Sequence, residues 1–233
     1  GMTEWILKME NIPVDDYKNL AKQFNPQKFD ARKIVSIAKK SGMKWIVFTV
    51  RHHDTFAMFD TKTTDWDIVD ASPYGKDIFK ELADECHKEG IGIGCQFTIG
   101  RDWTNAKIND SKNKDQKYWE EYYYPKVVKE QIRELLSNYG KISIMWFDSP
   151  VAALSQEIAD YVHQLQPECV VNGRVGAGAG EYDSTYDSTI KSVPSKKFWE
   201  YCSTIGESWA YRHKENQVYS SARALTQYLI DVA

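Results

Sequence analysis

Asp148 closes the apolar run Ile144-Met145-Trp146-Phe147 and precedes Ser149-Pro150, a pair that ends a strand and fixes the loop behind it. A carboxylate at a strand end is held by a rigid element and points into the crevice above the sheet, a place suited to chemistry. The plainer reading is an Asp capping the next loop. His52, His53 and Asp54 form a second polar cluster behind WIVFTV (45–50). Adjacent strand residues face opposite ways, so only one His would face a pocket unless the chain kinks at the strand end. With no Cys or His partner nearby in sequence, these histidines suit hydroxyl binding better than metal binding. Arg174, in VNGR, offers forked donors for a carboxylate or vicinal hydroxyls. Trp5, Trp103, Trp146 and Trp209 could present apolar faces to a sugar ring, with core packing the plainer reading for Trp146.

The stretch GAGAGEYDSTYDSTIK (176–191) is too long and irregular for an ordinary connection and carries Glu181, Asp183 and Asp187. Two carboxylates in one aromatic crevice fit acid/base-assisted hydrolysis of a glycosidic bond. A retaining mechanism needs them about 5–5.5 Å apart. No cofactor motif is present.

The elements that must position these groups alternate in type. Helical patterns at 14–22, 30–40, 75–89, 115–138 and 155–165 intersperse with strand patterns at 45–50, 91–99, 142–147 and 169–175. A fifth strand is expected at 198–205, followed by a final helix at 220–232. WIVFTV reads as a strand buried on both faces. Such alternation implies an α/β fold with a parallel sheet. No G-x-G-x-x-G or Walker loop follows a strand, and polar residues gather at successive strand ends, so a (β/α)8 TIM-like barrel is favoured over a doubly wound sheet. Five strands fall short of eight, so the barrel is expected to be incomplete in this chain or the sheet open. Open edges would favour self-association.

Composition excludes several classes. The 233 residues carry 30 basic and 33 acidic side chains, a net charge of -3, which gives no argument for a nucleic-acid partner. Mean hydropathy is -0.56, and no apolar run approaches the roughly 20 residues of a membrane span. Aromatics make up 13% of the chain, enough for a large core or for stacking platforms. Cys86, Cys95, Cys169 and Cys202 are too widely spaced for a metal motif and read as buried thiols. The first residues show no signal peptide, Gly1 before Met2 reads as a remnant of tag cleavage, and the compartment is left open.

The run from WIVFTVRHHDTFAMFD through IGIGCQFTIGRDW, then IMWFDS, VVNGRVG and FWEYCSTIGESWAYR, resembles the α-L-fucosidases of glycoside hydrolase family 29 in that order. The resemblance covers essentially the whole chain. It implies a retaining exo-glycosidase acting on fucosylated oligosaccharides or glycoconjugates, without a cofactor. It implies that residues 1–233 are part of the catalytic barrel and that the family's C-terminal β-sandwich is absent. Position by position, Asp148 matches the nucleophile, His52 and His53 the histidines that hold fucose hydroxyls, and Arg174 the pocket arginine. Trp209 matches an aromatic against the sugar's methyl face, and Glu4-Trp5 a pair that closes the pocket. Phe97 stands at a substrate-binding position where many members have Tyr. The acid/base loop corresponds to 180–191, offering Glu181, Asp183 and Asp187, with Glu207 on the next loop as a further candidate. The family's first-strand His-Trp-Gly motif has no counterpart here. A truncated sugar-binding fragment, or a hydrolase of another sugar such as galactose, are the alternatives.

Overall fold

The computed structural model describes residues 3–109, 115–190, 197–211 and 218–232. Two short helices, α1 (Ile6–Met9) and α2 (Val14–Asn19), precede α3 (Ala31–Lys40). Asp30 caps α3 by accepting from Lys33 N at 3.0 Å. Strand β1 (Trp45–Arg51) follows, then α4 (Ile78–Glu89), capped by Asp77 and closed by Gly90 at φ +70°. Strand β2 (Gly92–Thr98) leads through short α5 (Ala106–Asn109) and α6 (Gln116–Tyr118) into a π-helical stretch, Trp119–Val128. Pro125 lies inside that stretch; lacking an N–H, it cannot complete an α-helical ladder. Then come α7 (Lys129–Asn138), β3 (Ile144–Asp148), α8 (Ser155–Leu165) and β4 (Val170–Val171). Strands β5 (Asp183–Ser184) and β6 (Trp199–Glu200) and helix α9 (Ala222–Val232) complete the described elements.

The first four strands pair in parallel in chain order, β1-β2-β3-β4, without the reversal of a doubly wound sheet. An isolated parallel bridge, Asn172 to Tyr182, links the end of β4 to the start of β5, which pairs in parallel with β6. One face of the sheet packs under the helices. Phe79 and Leu82 of α4, Ile132 and Leu135 of α7 and Val162 of α8 close over Ile93, Cys95, Met145 and Phe147. That dense layer is what holds the strand ends still.

The other face differs from expectation. Trp45 and Val47 are 56% and 39% exposed, so β1 is buried on its helix side only. It is an edge strand among the described elements, and its alternate residues Trp45, Val47 and Thr49 are exposed. The expected strand 169–175 pairs only at Val170 and Val171, then turns into a single 3-10 turn, Gly173–Val175. The side chain of Asn172 continues the ladder instead. Its Oδ1 accepts from Phe147 N at 2.8 Å, and its Nδ2 donates to Phe147 O at 3.0 Å. Likewise, 198–205 pairs only at Trp199 and Glu200, and β5 forms inside the stretch read as irregular. No described helix is long and apolar enough to cross a membrane. Cys86, Cys95 and Cys169 are buried free thiols, while Cys202 is half-buried.

Candidate active site

Asp148 ends β3, and Ser149 after it adopts φ +53°, which turns the chain out of the sheet. Gly100 lies against this turn: its N–H donates to Ser149 O at 2.9 Å, and a Cβ there would sit 2.8 Å from the same oxygen. Only glycine lets the two strand ends approach so closely. On the sheet face where Asp148 emerges stand Trp146, two residues earlier, and Thr98, its register partner on β2.

A bulge between Thr49 and Arg51 shifts the register of β1 against β2. Arg51 is thereby fully buried among the helices, its guanidinium 5.0 Å from the Phe97 ring and 5.7 Å from that of Tyr123. It donates to Gln131 Oε1 at 2.7 Å and Tyr123 Oη at 2.5 Å, and Tyr123 donates on to Asp102 Oδ2 at 2.7 Å. Behind this anchor the chain makes the expected kink. Thr55 N donates to His52 O at 3.0 Å, and the His52 and His53 rings come to lie 4.0 Å apart. Asp54 turns the other way, accepting from Tyr17 Oη at 2.8 Å.

His53 is buried, with Nδ1 3.2 Å from Thr98 Oγ1 and Nε2 3.6 Å from Asp148 Oδ2. Burial, with smaller contributions from His52 and Arg101, pushes its pKa down to about 3. It is therefore neutral at ordinary pH. The tautomer satisfying both contacts accepts from Thr98 on Nδ1 and presents Nε2–H to Asp148. Arg174 approaches the other oxygen of Asp148, Nη1 to Oδ1 at 3.9 Å. Both distances exceed hydrogen-bond length, so Asp148 is flanked by two donors while its lone pairs stay unclaimed by described residues. His52, His53 and Asp148 bring possible ligand atoms within 4.8 Å of one another, close enough for a small cation, with the Arg174 charge opposing one.

Arg174 lies on the 3-10 turn after β4, its guanidinium 4.8 Å from the Trp146 ring. Its Nη2 pairs with Asp187 and donates to Thr185 O at 2.9 Å. One guanidinium thus bridges Asp148 and Asp187. Trp5 packs edge-on to His53 at 5.5 Å and to Trp103 at 4.9 Å, forming a wall, and Trp103 N donates to His53 O at 2.8 Å. Beside Trp5, Glu4 Oε2 is buried with no hydrogen-bond partner among the described residues.

Four of the expected site residues stand apart from Asp148. Phe97 is fully buried on the helix face, edge-on to Phe147 at 6.3 Å, because strand alternation sends Thr98 rather than Phe97 toward Asp148. It cannot touch a ligand in the crevice. Glu181 faces α8: its Oε2 accepts from Val171 N at 2.5 Å and its Oε1 lies 3.0 Å from His163 Nε2. Its carboxylate fastens the sheet to a helix. Glu207 and Trp209 line a cavity of about 260 Å³ with Tyr211, Val218 and Tyr219, whose lining includes none of Asp148, His53 or Arg174. Sequence reasoning missed Glu200, which accepts the indole N–H of Trp146. Its lone acidic position inside a hydrophobic strand pattern was the available signal.

Residues 6–233 match the family model described as alpha-L-fucosidase. The chain is 26% identical to a putative alpha-L-fucosidase of Caenorhabditis elegans, over 95% of this chain and 48% of that protein. It is 25% identical to an alpha-L-fucosidase of Dictyostelium discoideum, over 93% and 49%. It thus spans about half the length of these curated relatives. An alpha-L-fucosidase of Lactobacillus casei, solved with its alpha-L-fucose product, superposes with a TM-score of 0.86 at 35% identity, covering 97% of this chain and 76% of that one. A Bacteroides thetaiotaomicron alpha-L-fucosidase gives 0.87 at 25% identity, covering 99% and 58%.

Proposed function

The chain belongs to the alpha-L-fucosidase family, and on that premise we propose that it releases terminal α-L-fucose from glycoconjugates by a retaining, two-carboxylate mechanism. The observation that carries this reading is the single Arg174 guanidinium shared by Asp148 and Asp187, which keeps two carboxylates in one crevice beside the paired histidines.

Asp148 attacks the anomeric carbon while Asp187, protonated, gives its proton to the leaving oxygen, and the glycosidic bond breaks. Asp187, now ionised, takes a proton from water. That water attacks the same carbon from the leaving-group side, the bond to Asp148 breaks, and fucose departs with its configuration retained. The His52–His53 pair, the orphaned Glu4 oxygen and Arg174 bind ring hydroxyls, and Trp5 and Trp146 shield the sugar's apolar face.

The same reading includes a (β/α)8-type barrel to which residues 1–233 contribute. Sequential parallel order supports it. So does the hydrogen bond from Trp146 on β3 to Glu200 on β6, because side chains three strands apart meet only where a sheet curls.

Asp148→Ala is expected to abolish release from an aryl α-L-fucoside, with azide restoring part of the turnover by standing in for the lost carboxylate. An unchanged rate in that variant refutes the nucleophile. The uncovered sheet face around Trp45 and Val47 favours a second reading, in which this chain alone binds fucose without turning it over. Calorimetry with fucose beside the turnover assay separates the two.

A further inference from the structure

Glu200 occupies a position the proposed mechanism does not use. It stands half-buried on β6, with Oε1 and Oε2 accepting from Trp146 Nε1 at 2.8 and 3.0 Å. Oε2 also accepts from Tyr182 Oη at 3.1 Å. Burial and the Glu200 charge raise the Tyr182 pKa, so that phenol remains a donor at any working pH. One carboxylate therefore gathers side chains from β3, the start of β5 and β6. On the indole it grips rests Arg174, at 4.8 Å, and Arg174 in turn meets Asp148 and Asp187.

We propose that Glu200 is a positioning residue: it fixes the Trp146 indole as the seat of Arg174, and through Arg174 it sets the spacing of Asp148 and Asp187. The proposal rests on the two-carboxylate reading above. An indole on a strand face is free to swing about its side-chain torsions unless its N–H is claimed, and a carboxylate claims it with a charge-assisted bond. A guanidinium lying over that ring is held by it, and because the fork is rigid, its position carries through to both carboxylate partners.

These groups share one charged space. Asp148 and Asp187 flank the Arg174 guanidinium, and Glu200 grips the ring that guanidinium lies over, with His53, Tyr182 and the Cys202 thiol as further titratable groups around them. The Cys202 thiol reports this shared space: burial pushes it up to about 11, Arg174 opposes the rise, and Asp187, Glu200 and Asp148 add to it.

Glu200→Gln and Glu200→Leu, assayed with an aryl α-L-fucoside, test this, with rates expressed per active site titrated by a fluorinated fucosyl donor. Glu200→Gln keeps an acceptor oxygen and loses the charge. It keeps the grip on Trp146 and is expected to retain kcat and KM within about tenfold. Glu200→Leu loses the grip on Trp146 and is expected to lose about 10²-fold in kcat, with KM changed less. Wild-type kcat and KM per titrated site in both variants, with only a lower Tm, would reduce Glu200 to a structural role and overturn the proposal. So would a Glu200→Leu loss confined to substrates with poor leaving groups and rescued by azide, because that pattern makes Glu200 the acid itself. Failure of the underlying reading shows separately, as a parent protein that releases no fucose at all. Glu200 is then read from fucose affinity by calorimetry, which Glu200→Leu weakens if the seat matters and leaves unchanged if it does not.

Discussion

The two halves of the proposed chemistry are mounted differently. Asp148, His52 and His53 sit at the ends of strands of five to seven residues, backed by a continuous layer of helices. Asp187 sits between two-residue strands, in a region where Tyr186, Phe198 and Tyr211 lie 81% to 89% exposed. The direction of Asp148 is thus set by the core, whereas that of Asp187 is set by side-chain contacts, chiefly Arg174. Precision in one place is a packing property and in the other an electrostatic one.

Substitutions on the two mounts should separate these sources. After the abolition expected of Asp148→Ala, the largest effect is expected from Asp187→Ala. Loss of a general acid costs about 10²–10⁴-fold, with the greater fall on substrates whose leaving group needs a proton. Glu181→Ala, on the same stretch but turned to His163, should leave kcat/KM unchanged in the same assay. A reversed pattern would move the acid to Glu181 and break the comparison.

Packing comes next. Phe97→Ala, in the core beneath the site, should cost about 3–5 kcal/mol in urea unfolding, whereas Phe198→Ala, 89% exposed, should stay within about 0.5 kcal/mol. Similar losses from both would mean that the second region is packed by contacts not evident from its exposure.

A smaller effect follows from His53. Its folded pKa of about 3 lies below the unfolded value of 6.5, so below pH 6.5 the unfolded chain takes up a proton that the folded chain refuses. Its contribution is therefore intact above that pH and is lost as pH falls toward 3. Going from pH 7 to pH 5 should cost on the order of 1–2 kcal/mol, measured by denaturant titration. His53→Asn should flatten that dependence, and an equally steep slope in the variant would assign it elsewhere. The smallest change is expected from His163→Ala: it removes a half-exposed side-chain contact with Glu181 and should shift stability by at most about 1 kcal/mol.

How far the sequence speaks follows the same division. Buried β-branched and aromatic runs announced β1, β2 and β3, because strands of that length must bury a face, and Asp148 was legible as the polar residue where such a run stops. The kink at His52–Thr55 could be named only as a requirement, since it depends on Arg51 being drawn inward by Tyr123 and Gln131, 72 and 80 residues away. Phe97 came from the resemblance alone, and its burial on the helix face depends on a register that a single strand does not reveal. The acid/base loop was illegible for a related reason. Glu181, Asp183 and Asp187 are chemically equivalent in a polar stretch, and only the pairing of Asn172 with Tyr182 decides which of them turns toward Arg174.

That pairing begins at a residue with a covalent vulnerability. Asn172 is followed by Gly173, the neighbour that least hinders spontaneous conversion of an asparagine amide to an acid, and burial within the fold is what shelters it. Should the conversion occur, an oxygen would replace the nitrogen that now meets Phe147 O at 3.0 Å, and the peptide just before the nucleophile would be repelled rather than clasped. The age of a protein sample would then be written into its catalytic competence at a single side chain, with mass spectrometry and residual turnover declining in step.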